Sequence, residues 1–407
     1  MNEQERAIVH MDLDTFFVSC ERLADNRLNG KPILIGGTSD RGVVASCSYE
    51  ARAFGVRSAM PMKMAKERCP EAIIIKGNTS TYSKHSQDVT DIIREMVPVV
   101  EKSSIDEFYM DLSGMDRFFG CFKYANEVRN RIIKETGLPI SFGLSNNKTV
   151  SKIATGEIKP NNSQQIKYGN ERSFLAPLSA SKIPMVGEKT FRTLCDLGLK
   201  RIATIQEMPI DVMESVLGQN GATIWRKAQG IDNSPVIEYN ERKSISTERT
   251  FDKDTIDVAK LKSIILAMAE NLAFQLRRGE KVSACISVKI RYSDFQTTSL
   301  QKRIPYSAAD HEIIPIIMEL FERLYNRRLL VRLIGIRFSE LVNGYQQLRL
   351  FDEDAERMVK LYGAMDKIRD TYGDRAIFRA MGIQAKTIGH FNPFNGDAPM
   401  LLANRRV

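Results

Sequence analysis

Two short strands that meet at a turn are predicted for Ser103-Ser104-Ile105-Asp106-Glu107-Phe108-Tyr109-Met110-Asp111-Leu112, because β-branched and aromatic residues dominate this stretch. The turn carries two neighbouring carboxylates, Asp106 and Glu107. Such carboxylates repel one another and resist burial, so they require either a cation or a solvated loop. An exposed acidic turn is the ordinary interpretation, and a second observation is needed to favour a cation site.

A strand near the N-terminus supplies that observation. It is predicted for Ala7-Ile8-Val9-His10-Met11-Asp12-Leu13-Asp14 and also ends in carboxylates. The two-residue period of a strand places Asp12 and Asp14 on one face and Leu13 on the other. If the two strands are neighbours, Asp12, Asp106 and Glu107 converge. Mg²⁺ prefers carboxylate oxygens and keeps its other positions for water and phosphate, so this cluster predicts two-metal phosphoryl transfer.

The length and charge of the chain narrow the class of protein. A chain of 407 residues with 43% hydrophobic residues is expected to form two to four globular domains. The net charge of +9 favours an anionic partner such as nucleic acid.

The spacing of the cysteines and the length of the apolar segments indicate the cellular compartment in which the protein is expected. The six cysteines are scattered without metal-ligand spacing, which disfavours a zinc site or a disulfide framework and favours a reducing cytoplasm. No run of about 18 apolar residues occurs, so neither export nor membrane insertion is expected.

Residues 13–78 are predicted to form a small irregular domain. A helix is expected over 15–28, with Thr15 as its N-cap and Phe17 on its first turn, close to the carboxylates. Phe16 is interpreted as a core residue. A second helix opens near Cys47, and its Tyr49 and Arg52 share one face. They are either solvated or contacts for a triphosphate.

Residues 79–168 carry the pattern of a ferredoxin-like sheet. Helices are predicted over 79–96, 121–136 and 147–158, and a strand over 140–145. Together with the strands above, the order is strand, helix, strand, strand, helix, strand. We expect the helices to cover one face and to leave the other face open for a substrate.

Two further regions are predicted to bind DNA. Ile183 to Leu199 is typical of a helix-hairpin-helix, in which Gly187 exposes backbone N–H groups to a phosphate, although a plain connector is equally consistent. Residues 245–341 repeat the βαββαβ order. The strand Val282–Arg291 alternates between apolar residues and an outward row of Ser, Cys, Lys and Arg. Residues 274–349 contain 13 Lys/Arg and 7 Asp/Glu, so this outer face can grip a phosphate backbone.

The C-terminal region begins with Gln346-Gln347-Leu348-Arg349-Leu350-Phe351. It is either an edge strand or a linear peptide that inserts into a partner's groove, and the acidic flank that follows favours the peptide. Residues 353–382 are predicted to be helical, with five apolar positions in register: Met358, Leu361, Met365, Ile368 and Tyr372.

Four motifs in this order resemble the Y-family translesion DNA polymerases, most closely the bacterial DNA polymerase IV branch, over residues 6–351. They are His10 to Phe17, Ser48 to Arg52, Ser103 to Glu107, and Ser145 through Lys159-Pro160-Asn161. Each motif is weak alone, and the combination is specific. The chain departs from the family at Ser46-Cys47-Ser48, where other small residues are usual, and in its helical tail after Phe351.

The resemblance implies an α+β multidomain fold of the right-hand type. The ferredoxin-like palm would comprise residues 1–12 and 79–168, the small fingers 13–78, and the helical thumb with its helix-hairpin-helix 169–235. A linker over 236–243 would precede the βαββαβ little finger at 244–341. Residues 342–407 would hold a clamp-binding peptide and the helical tail.

The resemblance also implies roles for individual residues. Asp12, Asp106 and Glu107 would be catalytic and, with the Leu13 carbonyl, would bind two Mg²⁺ ions. Phe17 would be the steric gate that rejects a ribose 2′-hydroxyl. The other nucleotide contacts would be Phe16, Ser46, Tyr49, Arg52 and Lys159. DNA contacts are expected at Gly187, Lys189, Lys289 and Arg291, and clamp contacts at Gln347, Leu348, Leu350 and Phe351.

The predicted function is template-directed DNA synthesis of low fidelity across lesions, without proofreading. The expected partners are primer-template DNA, deoxynucleoside triphosphates and a sliding clamp. We expect a cytoplasmic monomer that does not bind membranes. Two rivals remain at this point: a nucleotide cyclase, which would not need the basic second sheet, and a non-catalytic DNA-binding scaffold, which would not need three carboxylates.

Overall fold

The computed structural model describes residues 6–39, 41–115, 120–238, 241–344, 353–373, 376–382 and 385. These residues form two compact units, one up to residue 238 and one from residue 241. Among the described helices, none combines the length and the apolar character that crossing a bilayer requires. Gln347, Leu348, Leu350 and Phe351, the predicted clamp contacts, lie outside the described residues.

The described part of the first unit contains eight strands in two sheets. The strands are β1 (Ile8–Leu13), β2 (Ile33–Gly36), β3 (Val44–Cys47), β4 (Ile73–Ile75), β5 (Val100–Lys102), β6 (Glu107–Asp111), β7 (Ile140–Ser145) and β8 (Ser163–Gln165). The larger sheet has the order β5–β6–β1–β7–β8, and the smaller has the order β3–β2–β4. In the larger sheet, β1 is antiparallel to both β6 and β7. Strands β1, β5, β6 and β7 therefore have the ferredoxin-like order that the sequence predicts.

Eleven α-helices belong to the described part of the first unit. They are α1 (Phe16–Ala24), α2 (Tyr49–Ala53), α3 (Met62–Arg68), α4 (Thr79–Met96), α5 (Cys121–Thr136), α6 (Lys148–Ile158), α7 (Glu171–Leu175), α8 (Glu188–Asp196), α9 (Ile202–Glu207), α10 (Ile210–Leu217) and α11 (Gln219–Ala228). The bounds predicted for α4 and α5 are confirmed. Helix α1 ends at Ala24, before the predicted Leu28, and Thr15 holds the N-cap position without a side-chain cap bond.

Helices α5 and α6 pack on opposite faces of the larger sheet. A Cβ added to Gly143 in β7 would lie 2.4 Å from the Ser151 carbonyl oxygen of α6, so only glycine permits this approach. Helix α5 lies on the opposite face, where its Phe122 ring is 5.5 Å from the ring of Phe142, because neighbouring strand residues face opposite sides. The expectation of helices on one face only is therefore wrong.

The helices after β8 share a core with α6. Buried side chains from α6 to α11 form it, among them Leu175, Leu194, Ile205 and Ile224. Gly187 occupies the N-cap position of α8, as the helix-hairpin-helix prediction requires. The small sheet β3–β2–β4 packs separately against α2 and α3 through Leu34, Val44, Ala51 and Met62.

The second unit contains a four-stranded sheet. Its elements are β9 (Ser244–Thr255), α12 (Val258–Arg278), β10 (Lys281–Tyr292), β11 (Thr297–Ser307), α13 (Asp310–Leu324), β12 (Val331–Asn343) and α14 (Glu353–Tyr372). The sheet order is β11–β10–β12–β9. The βαββαβ order along the chain is thus the predicted one. The pairing differs from that of the larger sheet of the first unit. The second and fourth strands of the motif are neighbours in the second unit, and the first and third strands of the motif are neighbours in the larger sheet.

Strand β10 alternates only in its second half. Buried and half-buried residues alternate from Ile286 to Tyr292, as predicted. Ser283 and Cys285 were expected on the outward face but are buried. The Ser283 hydroxyl donates to the Ser339 carbonyl at 2.8 Å, and the register with β11 shifts between these two residues. The outward polar row is therefore shorter than the sequence suggests.

Helix α14 docks on α12 and α13 through polar side chains. Tyr362 and Arg369 are each only 2% exposed. Three of the apolar residues that were predicted to be in register, Leu361, Ile368 and Tyr372, are 48%, 38% and 78% exposed. The helix is confirmed up to Tyr372, and these three apolar residues do not belong to its buried face.

Candidate active site

The two strands that carry the predicted carboxylates lie side by side. Asp12, at the end of β1, is directly opposite Glu107, the first residue of β6. Asp106 precedes it in the turn, and its carbonyl accepts the backbone N–H of Leu13 at 3.0 Å. The antiparallel register thus brings three acidic residues to one end of the larger sheet, although 94 positions separate Asp12 from Asp106.

Ser104 shapes the acidic turn. Its hydroxyl donates to Asp106 Oδ1 at 2.6 Å and accepts the backbone N–H groups of Asp106 and Glu107 at 3.3 and 3.1 Å. These bonds hold the turn closed and orient the Asp106 carboxylate. No role was predicted for Ser104, although its place two residues before Asp106 is the pattern of a Ser side chain that bonds its own turn.

Two lysines balance the carboxylates. Lys159 Nζ contacts Asp12 Oδ1, and Lys152 Nζ, on α6, lies 2.6 Å from Glu107 Oε2. Among the residues that the structure describes, no three His, Cys, Asp or Glu side chains are gathered as ligands of one metal ion. The carboxylates therefore share one end of the sheet, but Glu107 is turned to Lys152.

The electrostatics of the carboxylates nevertheless suit a divalent cation. The pKa of Asp12 is raised to about 7: burial is the largest cause, nearby Asp106 and Glu107 add to it, and Lys159 opposes the change. Burial also raises the pKa of Asp106, while its bond from Ser104 lowers it. Crowded, desolvated carboxylates are stabilised as anions by a hard cation, which satisfies their oxygens and neutralises their repulsion. The donor set fits Mg²⁺ on this ground.

A cleft of about 200 Å³ adjoins the acidic turn. It brings together most of the predicted site residues, and Glu107 and Tyr49 are not part of its lining. Thr15, Ala45 and Ser58 line it without having been predicted. The full lining is Asp12, Leu13, Thr15, Phe16, Phe17, Ala45, Ser46, Arg52, Ser58, Asp106 and Lys159.

Phe17 forms one wall of the cleft and is held by a second ring. Its ring stacks on Tyr82 of α4 with centroids 4.4 Å apart and planes 14° apart. The Tyr82 hydroxyl donates to Glu21 at 2.6 Å. Phe16 is 2% exposed, as expected of a core residue, and it also lines the cleft. The wall at Phe17 is therefore rigid and apolar.

Arg52 reaches the cleft from α2. Ser48 caps this helix by accepting the Ala51 N–H at 3.3 Å, and the Arg52 guanidinium lies 4.9 Å from the centroid of the Tyr49 ring. The two residues share one face, as their spacing predicts. Arg22 of α1 fixes this helix, since its Nη2 donates to both carboxylate oxygens of Glu50 at 3.0 and 2.9 Å. A guanidinium and an ammonium, that of Lys159, therefore face one cleft, an arrangement that suits a triphosphate.

The predicted DNA contacts lie in both units. Gly187 and Lys189 are exposed at the start of α8. On the outer face of the sheet of the second unit, Lys289 of β10 forms an ion pair with Glu248 of β9, and Gly335 of β12 lies between them. Arg291 Nε donates to Thr297 at 2.7 Å. The basic character of this face is therefore weaker at Lys289 than the sequence predicts.

Comparison with solved structures defines the class of protein. A Y-family DNA polymerase chimera of Dbh and Dpo4 matches with a TM-score of 0.73 and 24% identity, and the match covers 83% of this chain and 99% of that chain. This likeness shows the fold. The fold is of the right-hand type with an additional C-terminal domain.

Sequence comparison defines the family. Residues 11–156 match the impB/mucB/samB family, and residues 242–350 match its C-terminal domain. A protein of Dehalococcoides mccartyi named DNA polymerase IV is 37% identical over 90% of this chain and 95% of its own length. One of the same name from Streptococcus pneumoniae is 36% identical over 83% and 98%. The chain belongs to the Y-family DNA polymerases, in the impB/mucB/samB family.

Membership in this family confirms several predictions at once. The α+β right-hand fold and template-directed translesion DNA synthesis are those of the family. The enzyme acts on primer-template DNA with nucleotide substrates and depends on divalent metal. A nucleotide cyclase and a non-catalytic scaffold are thereby excluded.

Proposed function

We propose that this chain adds deoxynucleotides to a primer 3′-end in the cleft beside Asp12, Asp106 and Glu107, with two Mg²⁺ ions. The supporting observation is the desolvation of Asp12 and Asp106, whose raised pKa values mark a carboxylate pair that lacks sufficient positive charge. Mg²⁺ in this site would promote loss of the primer 3′-hydroxyl proton and stabilise the leaving pyrophosphate.

Each residue has a separate task in this proposal. The three carboxylates and the Leu13 carbonyl hold the metal ions, and Ser104 keeps the Asp106 carboxylate aimed at them. Lys159 and Arg52 bind the triphosphate, with Ser46 as a further donor and Tyr49 as a further contact from the fingers side. Phe16 and Phe17 form the wall beside the sugar. A gel assay with primed template, dNTPs and Mg²⁺ tests whether the chain is a DNA polymerase. We expect stepwise extension of the primer, and DNA binding without extension would refute the proposal.

Phe17 carries the proposed selection of deoxyribose. In Phe17→Ala we expect the ratio of ribonucleotide to deoxynucleotide incorporation efficiency to rise by about 10- to 100-fold, since relief of an overpacked contact is worth about 1–3 kcal/mol. Single-nucleotide kcat/KM values measure this ratio. Phe17→Tyr, which keeps the stacked ring, is the matched control and should retain discrimination. An unchanged ratio in Phe17→Ala would show that another group excludes the 2′-hydroxyl.

DNA is proposed to contact both units of the chain. The N–H groups at Gly187 and the side chain of Lys189 would hold one phosphate stretch, and Lys289 and Arg291 another. These contacts involve phosphates and not base edges, so they position the duplex without reading its sequence.

A sliding clamp is proposed as the partner of Gln347, Leu348, Leu350 and Phe351. The peptide motif in the sequence supports this partner, and we propose that the polymerase otherwise acts as a cytoplasmic monomer. Deletion of residues 347–351 should reduce primer extension several-fold when a loaded clamp is present and leave extension unchanged without it. Primer extension with and without the clamp measures both effects. Equal loss in both reactions would count against a clamp-specific role.

A further inference from the structure

Asp14 is a buried carboxylate to which the proposed mechanism gives no task. It is 1% exposed, and it does not line the cleft. The period of the strand predicted that Asp14 shares a face with Asp12. Strand β1 ends at Leu13, and the Asp14 side chain stays near Asp12, because Lys159 contacts both carboxylates, but it is bonded mainly to residues of other elements.

Polar groups from three places converge on this carboxylate. Oδ2 accepts the Ser141 hydroxyl of β7 at 2.8 Å and the Asn161 backbone N–H at 2.7 Å. Oδ1 accepts the Tyr49 hydroxyl of α2 at 3.4 Å, and Lys159 Nζ lies 3.7 Å from the same oxygen. A buried carboxylate is costly unless hydrogen bonds satisfy it, and bonds to an ionised acceptor are the stronger ones.

The loop that carries Lys159 is fixed from two sides. Asp14 holds the N–H of Asn161, and Arg129 Nη2 donates to the Asn161 carbonyl at 2.8 Å. Arg129 is tied in turn to β7, where its Nε donates to the Ile140 carbonyl at 2.9 Å. Lys159 is two residues before this clamped position, so its backbone has little freedom at the cleft.

The fingers side is linked to the same carboxylate. Burial, followed by the nearby Asp14 charge, raises the pKa of the Tyr49 phenol, so Tyr49 keeps the proton that it donates. Arg52 lies against the Tyr49 ring. One carboxylate thus contacts groups from both sides of the cleft that are proposed to bind the triphosphate.

We propose that Asp14 is a positioning residue for the nucleotide triphosphate: it orients Lys159 through the Asn161 loop and Tyr49 through its hydroxyl before the nucleotide arrives. This inference rests on the proposed function, in which Lys159 and Tyr49 contact the triphosphate. Fixed side chains bind more tightly because less freedom is lost on binding. Asp14 itself touches neither the metal ions nor the substrate.

Asp14→Asn tests the proposal, because the amide keeps the shape of the carboxylate and removes its charge and one acceptor. We expect the Kd of the correct dNTP to rise by about 10- to 100-fold. The Kd is measured by equilibrium fluorescence on the complex with a dideoxy-terminated primer, so no turnover is needed. The Kd for primer-template DNA should remain within about twofold. Ser141→Ala, which removes one donor and keeps the charge, should raise the dNTP Kd by only about two- to fivefold.

A double-mutant cycle with Lys159→Ala separates positioning from general damage. If Asp14 acts mainly through Lys159, Asp14→Asn adds little to the loss already present in Lys159→Ala. Fully multiplicative losses, or an unchanged dNTP Kd in Asp14→Asn, would overturn the inference. An unchanged dNTP Kd in Lys159→Ala alone would instead refute the triphosphate contact in the proposed function. If circular dichroism shows that Asp14→Asn does not fold, the dNTP Kd of Ser141→Ala tests the proposal instead. A Kd equal to that of the parent protein would then count against it.

Discussion

Asp106→Asn is expected to lower the rate of primer extension by about a thousandfold or more, because the variant loses a charge that the metal ions require. The side chain keeps its size, and its Oδ1 can still accept the Ser104 hydroxyl that now lies 2.6 Å from Asp106. The turn should therefore keep its conformation. The affinity for primed DNA should change by less than about twofold, since contacts with DNA are proposed elsewhere on the chain.

The control for this prediction is Asp88→Asn. Asp88 is exposed on α4, so its substitution removes the same charge from the protein without touching the turn. Single-turnover extension at saturating dNTP and an equilibrium DNA-binding titration give the two quantities. A parallel loss of extension and DNA binding in Asp106→Asn would assign Asp106 to the architecture of the palm and not to catalysis. Extension at the parent rate would remove it from the metal site.

The sequence predicted the palm well because its signals are local. Helices α4 and α5 follow an amphipathic period over more than four turns, and strands β1 and β6 are short apolar runs that end in carboxylates. The register that places Asp12 opposite Glu107 follows once two such strands are taken as neighbours. The family motifs then point to the cleft residues, since their order along the chain is specific even where each motif is short.

The sequence could not predict which groups neutralise the site. Glu107 is paired with Lys152, 45 positions away, and Asp14 is bonded to Asn161, 147 positions away. Such contacts depend on how α6 and the loop after it approach the sheet, and no local period encodes that approach. The small side chain of Gly143, which lets α6 pack closely, was the available signal, and it acquires meaning only once β7 and α6 are known to cross.

The tail illustrates a different reason for failure. A helical apolar period placed Leu361, Ile368 and Tyr372 in register, but these residues are exposed. The docked face is polar: Arg277 of α12 donates to Asp366 of α14 at 2.7 and 2.9 Å. A hydrophobic pattern cannot reveal a face that is buried through ion pairs.

Arg277 lies at the centre of this ion-pair network. Besides Asp366, it donates to Asp310 at 2.7 Å, and Asp310 is 0% exposed. The Arg277 guanidinium lies 4.8 Å from the centroid of the Tyr362 ring. Arg379, beyond α14, donates to Asp310 at 2.9 Å and to the buried Glu270 of α12 at 2.8 Å. Part of the positive charge that neutralises Glu270 and Asp310 therefore comes from the tail, through Arg379.

Arg277→Met should lower the unfolding free energy of the second unit by about 3 kcal/mol, because removal of one partner leaves buried carboxylates undercompensated. Arg278→Met is the matched control: Arg278 follows on the same helix and also faces an aspartate of α14, Asp370, but at 3.8 Å and with 70% of its side chain exposed, so we expect a change below about 1 kcal/mol. Denaturant titrations followed by circular dichroism measure both losses. Trp225, the only tryptophan, lies in α11 of the first unit, and its fluorescence reports that unit separately. If the dichroism transitions of the two variants coincide, the buried ion-pair network does not contribute to the unfolding free energy of the second unit.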